Sequence, residues 1–203
     1  MDSTIASETW GTGGRFGIVP LSKGRIYWFA CVRAREADPD IAAYGSSELL
    51  GRFDKYHSPI PEIIGMTANE QLLHHDLYDI RPLRRFVYQR TALLGDAAHA
   101  MTPNMGQGAC QAIEDAVLLG RSLELSDTLE EGLDLYEHSR VSRTSKIVRL
   151  SRTIGAVAQW ENRAAAGLRN AILRSMPKDS AMKQLNFLYR INLEPHGQKG
   201  GRT

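Results

Sequence analysis

Residues 91–121, TALLGDAAHAMTPNMGQGACQAIEDAVLLGR, constrain the fold more than any other stretch of the chain. They read in order as a buried strand, a tight turn bearing an acid, a glycine-rich loop and the start of a helix. Asp96 follows the apolar run Ala92–Leu94, and Gly95 permits a backbone geometry that a side chain hinders. Two roles are open to a carboxylate there. It can cap a helix over Ala97–Ala100, or it can accept hydrogen bonds from sugar-like hydroxyls. Pro103-Asn104-Met105-Gly106-Gln107-Gly108 then opens a helix over residues 109–121. A helix N-terminus offers unpaired N–H groups and the positive end of a dipole. Two glycines let a flat ring approach that backbone, and the helix end stabilises negative charge without a lysine. The stretch therefore suits a polar, electron-rich ligand.

Around it the pattern divides. Residues 15–33 predict a β-hairpin about a Ser22-Lys23-Gly24 turn. Ile26, Trp28, Ala30 and Val32 fall on one face of its second strand, and Tyr27, Phe29 and Cys31 on the other. Both faces are apolar, so the strand is expected to be covered on both sides, one of them suited to roofing a ligand pocket. Asp38-Pro39-Asp40 signals a turn or helix start, residues 45–58 a short helix, and Pro59–Pro61 a second helix start. His74–Arg81 reads as a strand, and residues 86–94 as a short strand pair or a strand entering Gly95. Beyond Gly108, Ala109, Ile113, Ala116, Val117 and Gly120 share one helical face. Leu129, Leu133, Tyr136 and Arg140 continue in a second helix that Ser126–Thr128 would cap, and its pattern runs on to Val157. A helical segment over 163–175 ends at Pro177, and a short helix is expected over 181–189. The expected domains are residues 1–90 (sheet with short helices), 91–124 (strand-loop-helix), 125–190 (helices) and 191–203 (a disordered tail).

The totals exclude several function classes. A net charge of +2 over 203 residues is too small to imply nucleic acid. The loose basic run Arg140–Arg152 reads as the solvated face of a helix. Two cysteines far apart give neither a CxxC pair nor a metal-ligand spacing, so no metal is expected and a reducing compartment is the default. No apolar run reaches the length of a membrane span, and the first residues lack the pattern of a signal peptide. A cytoplasmic location follows by elimination. His99 reads as a packed residue beside Asp96. Adjacent His74 and His75 point apart on a strand. Asp115 reads as a partner for backbone or arginine groups.

Gly95-Asp96-Ala97-Ala98-His99, Pro103, Gly106-Gln107-Gly108, Ala112 and Glu114-Asp115-Ala116 resemble the second FAD-contacting motif of the FAD-dependent aromatic hydroxylases and epoxidases. That family of single-component monooxygenases includes p-hydroxybenzoate, salicylate and urate hydroxylases and zeaxanthin epoxidase. Arg15-Phe16-Gly17 and Tyr27-Trp28-Phe29 resemble its substrate-domain sheet. Tyr136-Glu137, Arg140 and Arg143 resemble the helix after the motif. The resemblance implies an α/β fold (α+β as a fragment): part of the substrate-domain β-sheet, the C-terminal part of a Rossmann-like FAD domain, and long C-terminal helices. It implies FAD as cofactor, with Asp96 on the ribityl chain, the Gly106–Gly108 backbone facing the isoalloxazine ring and Pro103 beside its oxygen-reacting edge. NAD(P)H would be the reductant. Arg15, Tyr27 and Phe29 are the substrate-pocket candidates, for a small aromatic or unsaturated substrate. No residue stands out as a catalytic base.

A complete member of that family begins with strand–GxGxxG–helix. The nearest match here, Gly11-Thr12-Gly13-Gly14, precedes a strand, and no strand is expected to lead into it. The chain is therefore expected to be the C-terminal portion of such an enzyme. It would act with an N-terminal half in trans, or self-associate, and it would expose an apolar patch. The alternatives are a non-catalytic fragment and, less favoured, a hydrolase using Asp96 and His99.

Overall fold

The computed structural model describes residues 5–177 and 186–188. Its strands are β1 (Ser7–Trp10), β2 (Arg15–Pro20), β3 (Ile26–Cys31), β4 (Val87–Tyr88) and β5 (Thr91–Ala92). Its α-helices are α1 (Pro39–Ala42), α2 (Ser46–Phe53), α3 (Ile60–Gly65), α4 (Asp96–His99), α5 (Gly108–Glu124), α6 (Leu129–Ala158) and α7 (Arg163–Ser175). The chain forms two compact units. The first is Met1–Asp76 with Ala156–Ser175, and the second is Leu77–Gly155 with Met176–Thr203.

In the first unit an antiparallel sheet is ordered β1-β2-β3. The expected hairpin is present, with Lys23 and Gly24 at positive φ where the turn reverses. A strand does lead into the Gly11–Gly14 segment, contrary to expectation: β1 pairs with β2, Trp10 opposite Arg15. The glycines form the connecting turn, closed by Gly11 N–H donating to the Gly14 carbonyl at 3.0 Å. Tyr56 Oη donates to the same carbonyl, and a Cβ on Gly11 would fall 2.3 Å from that hydroxyl. The glycines thus admit an aromatic side chain.

Side chains of directly opposed residues share a sheet face. One face carries Phe16, Ile18, Trp28 and Ala30, which pack with Phe53, Ile60 and Ile64 into the core of this unit. Phe16 stacks on Trp28 with ring centroids 5.1 Å apart. The opposite face carries Trp10, Arg15, Gly17, Tyr27 and Phe29. Here β3 is not covered on both sides as expected, for Tyr27 is 53% exposed. Val19 opposite it on β2 and Phe29 two residues along β3 leave it half open. Gly17 is required: a Cβ there would lie 2.2 Å from the Phe29 ring.

The helix starts fall where the residues predict. Asp38 accepts from Asp40 N–H, and Thr128 Oγ1 from Glu131 N–H. Asn162 Oδ1 accepts from Ala164 and Ala165 N–H, and so starts α7. Arg169 on α7 is buried. It donates to the carbonyls of Val157 and Ala158, which closes the last turn of α6. Residues 74–81 form no strand. Ile80 N–H donates to the Ala100 carbonyl, and Arg152 donates to Asp79 and to the Ile80 carbonyl, so isolated contacts replace a ladder. Of the helix expected over 181–189, residues 186–188 are helical. Its remaining residues and the 191–203 tail lie outside the described residues.

In the second unit β4 and β5 form a two-residue hairpin packed on α6. Glu137 accepts from Phe86 and Val87 N–H at 2.6 and 2.7 Å, and Tyr136 Oη donates to the Leu93 carbonyl at 2.9 Å. Burial and the charge of Asp115 both push the Tyr136 phenol upward, so it stays a donor. Phe86, Val87, Ala98, Leu118, Leu133 and Tyr136 make the core. β5 ends at Ala92, yet Leu93 N–H still donates to the Phe86 carbonyl at 2.8 Å; Leu93 and Leu94, expected in the strand, follow half-buried.

Candidate functional site

The turn at residues 95–99 is held from below by α5. Gly95 has φ +56° and ψ −135°, a conformation nearly confined to glycine. A Cβ on it would lie 3.3 Å from the Ala112 methyl, so the turn sits against the first turns of α5. Asp96 begins α4, yet Gly95 is the cap and no side chain makes a capping hydrogen bond. The capping role left open for Asp96 is therefore not filled. Its carboxylate is exposed.

Pro103–Met105 make a single 3-10 turn, and Gly106, at φ +61°, reverses the chain into α5. Asn104 anchors this loop: its Nδ2 donates to Thr102 Oγ1 and to the Ser151 carbonyl, both at 2.8 Å. Ser151 Oγ donates to the Thr102 carbonyl at 2.7 Å. A Cβ on Gly155 would lie 2.3 Å from Asn104 Nδ2, so a glycine one turn after Ser151 makes room for the anchor. Neither Asn104 nor Ser151–Gly155 was singled out in the sequence, although the i, i+4 spacing of small residues on α6 is a usable signal.

The first turn of α5 has no side-chain cap: Gln107 sits at the cap position without bonding the helix amides. A Cβ on Gly106 or Gly108 would meet nothing within 4 Å. The bare carboxylate of Asp96, the uncapped helix start and the open space over Gly106 and Gly108 fit a ligand with hydroxyls and a flat, electron-rich ring. Gly95, Asp96, Pro103, Gly106, Gln107 and Gly108 thus gather about one helix entry. Arg15, Tyr27 and Phe29 lie in the first unit on one sheet face. Arg15 is 3% exposed, paired with Glu8 and lying over the Trp10 ring. Tyr27 and Phe29 have ring centroids 6.2 Å apart.

Below the site is a buried ionic cluster. Arg140 is fully buried: its Nε donates to Asp115 Oδ1 at 2.5 Å, and its Nη1 to Glu114 Oε2 at 2.8 Å. Its Nη2 donates to the Gln111 side-chain and backbone oxygens. Arg143 also donates to Glu114 through Nε and Nη2. Asp115 Oδ2 accepts from Gly95 N–H at 2.8 Å and bonds His99 Nε2 at 2.6 Å. Burial alone would raise the Asp115 carboxyl; the bonds from His99 and Gly95 and the Arg140 charge outweigh it and hold it below its ordinary value. Burial would likewise raise Glu114, but Arg143 and Arg140 bring it down. So Asp115 has both partners expected of it, backbone and arginine, and His99 is packed in the core. The expectation of a solvated Arg140–Arg152 face is overturned, because paired carboxylates on α5 draw Arg140 inside.

The consequence for α5 is an inverted helix. Its buried positions are Gln111, Glu114, Asp115, Leu118 and Ser122. Ala109, Ile113, Ala116, Val117 and Gly120 do share a face, and it is the exposed one, with Ile113 66% exposed. Among the described residues no group of three or more His, Cys, Asp or Glu could hold a metal, and no helix is long and apolar enough to cross a membrane.

The FAD binding domain family matches residues 11–151. The aurachin C monooxygenase/isomerase of Stigmatella aurantiaca is 46% identical over 173 residues, 85% of this chain and 45% of its own. The 2-heptyl-3-hydroxy-4(1H)-quinolone synthase of Pseudomonas aeruginosa is 35% identical over 184 residues, covering 88% and 47%. Among solved structures, Klebsiella pneumoniae HpxO complexed with FAD and uric acid superposes with a TM-score of 0.78 at 27% identity, over 95% of this chain and 49% of that one. The chain spans about half the length of the relatives it matches.

Proposed function

Because the chain belongs to the FAD-binding family of flavin-dependent monooxygenases, we propose that it forms the riboflavin-facing half of an FAD site. The enzyme would hydroxylate or epoxidise a small aromatic or unsaturated substrate. The observation that carries this reading is the pairing of an exposed Asp96 carboxylate, unbonded among the described residues, with the uncapped, glycine-lined entry of α5. Bound FAD, reduced by NAD(P)H, would supply the oxygen chemistry. The chain's own part is positioning and electrostatics. Asp96 accepts hydrogen bonds from ribityl hydroxyls, and Gly106–Gly108 admit the ring. The amides of the first α5 turn stabilise negative charge on the reduced ring edge, and Pro103 stiffens the approach. Tyr27 and Phe29 are the substrate contacts in this reading; Arg15, a candidate from the sequence, is enclosed and paired with Glu8 and so backs that face rather than touching substrate. The relatives named for a quinolone and crystallised with uric acid favour a fused heteroaromatic ring, which Tyr27 and Phe29 can face. Both cysteines are free thiols, which fits a cytoplasmic setting.

The inverted helix supports a second element. The apolar face of α5 is the kind of surface that another packing layer covers, and the relatives are about twice as long as this chain. We infer that the remaining half of the fold, in the same polypeptide or supplied in trans, packs on Ile113 and Val117.

Titrating the chain with FAD, alone and with the N-terminal half of the aurachin C monooxygenase/isomerase, tests the site by flavin fluorescence and visible absorption. Asp96→Ala is expected to weaken FAD affinity about tenfold or more, the value of one hydrogen bond to a charged acceptor. Unchanged affinity removes the role given to Asp96. A preparation that takes up no FAD in either form removes the reading itself.

A further inference from the structure

We propose that Asp115, fixed by Arg140, is a positioning residue that sets the Gly95 turn and so aims the Asp96 carboxylate. The inference rests on the flavin-site reading only for what Asp96 binds; its structural part stands on the turn alone. A single carboxylate oxygen of Asp115 holds both ends of α4. It accepts from Gly95 N–H, just before the helix, and bonds the His99 ring at its end. Asp96 lies between these two points, its carboxylate without a hydrogen-bond partner among the described residues. Gly95 is buried; its carbonyl caps α4 by accepting from Ala98 and His99 N–H, while on the side away from that helix its N–H has Asp115 as acceptor. A buried amide without an acceptor is costly, so this bond selects the turn.

The position of Asp115 is itself over-determined. Arg140 binds Gln111, Glu114 and Asp115, which lie on successive turns of one α5 face, and its rigid planar fork fixes all three together. His99 adds a directional constraint. Its Nδ1 is buried without a partner, so Asp115 is the sole polar contact of the ring among the described residues. The carboxylate therefore touches no ligand in this account. It acts through Gly95.

A carboxylate that only glued α5 to α6 would lower stability when replaced, and its effect on FAD would add to that of Asp96→Ala. A positioning residue acts through Asp96, so the two effects overlap. Asp115→Asn is expected to weaken FAD affinity about tenfold in the full chain, and less than twofold further in the Asp96→Ala background. The second readout needs no flavin. Hydrogen exchange at the Gly95 amide is expected to accelerate at least tenfold in Asp115→Asn, while the Val148 amide in the middle of α6 stays within twofold. Should Asp115→Asn fail to fold, Arg140→Lys, which keeps the charge and loses the fork, is expected to loosen Gly95 in the same way. Fully additive losses of affinity, or a Gly95 amide as protected as in the parent, overturn the proposal. If Gly95 loosens as expected while the parent chain takes up no FAD, the positioning role survives and the flavin reading is what fails.

Discussion

Arg140→Met costs the second unit about 3–5 kcal/mol of stability, the penalty of leaving buried carboxylates without their cation. Three α5 residues depend on that guanidinium, and Asp115 and Glu114 are almost wholly enclosed. Methionine replaces the volume but none of the donors. Urea unfolding followed by far-ultraviolet circular dichroism measures the loss. Arg152→Met is the control. Arg152 also binds a carboxylate, Asp79, but in the open, so its removal costs under about 1 kcal/mol. Equal losses at the two positions would show that burial of Arg140 contributes nothing.

The same cluster fixes a pH dependence. Asp115 and Glu114 are both held below their ordinary values in the folded protein. Such groups bind fewer protons folded than unfolded, so their stabilisation is complete above the unfolded values of about 4 to 4.5. It is lost as pH falls through the lower folded values. The parent chain should therefore gain stability between about pH 3 and pH 5. In Arg140→Met the carboxyls lose one of the groups that offset their burial, while Arg143 on Glu114 and His99 and Gly95 N–H on Asp115 remain; their folded values rise and that gain shrinks.

What could be read from the sequence depends on how local the determining physics is. The Gly95-Asp96 turn and the Gly106-Gln107-Gly108 entry were legible because glycine conformation and helix ends are local matters. The hairpin over 15–33 was legible for the same reason. β1 was not, since Ser7–Trp10 is short and polar at its start and becomes a strand only through its pairing with β2. Asp96 as a cap was a sound local reading that Gly95 pre-empts by taking the cap position itself. The strand expected at 74–81 fails because a strand needs a ladder partner and residues 74–81 have none. Arg140 is the clearest case. Its neighbours in sequence are polar and basic, which reads as a wet face; its burial is decided by Glu114 and Asp115, some 25 residues earlier. Asp115 reads as a partner for backbone or arginine groups, but the spacing does not say which arginine. Each side becomes a core group only because the other is there, and a one-dimensional pattern does not contain that pairing.

Ile113→Glu with Val117→Glu is expected to abolish association with the N-terminal half of the aurachin C monooxygenase/isomerase while leaving the chain's own stability within about 0.5 kcal/mol. The asymmetry follows from where the side chains are. Ile113 is 66% exposed and Val117 37%, so charge there costs the isolated chain little. Burying an aliphatic side chain of this size in an interface contributes about 1.5–3 kcal/mol, and a carboxylate in its place must be desolvated as well. Two such changes weaken binding by a factor of roughly a hundred or more. Ala109, Ala116 and Gly120 on the same face are small, which lets a partner backbone come close over the two larger side chains. Sedimentation velocity of the mixed halves measures the association, and urea unfolding of the chain alone measures its stability. If the mixed halves associate equally well before and after the changes, the α5 face is not where the second half packs. If instead the chain alone is destabilised, the face is already covered from within. A self-association that the same changes remove would make a second copy the occupant. Only loss of the mixed complex, with an unaltered chain, supports the view that an inverted helix marks the seam between the two halves of a flavin site.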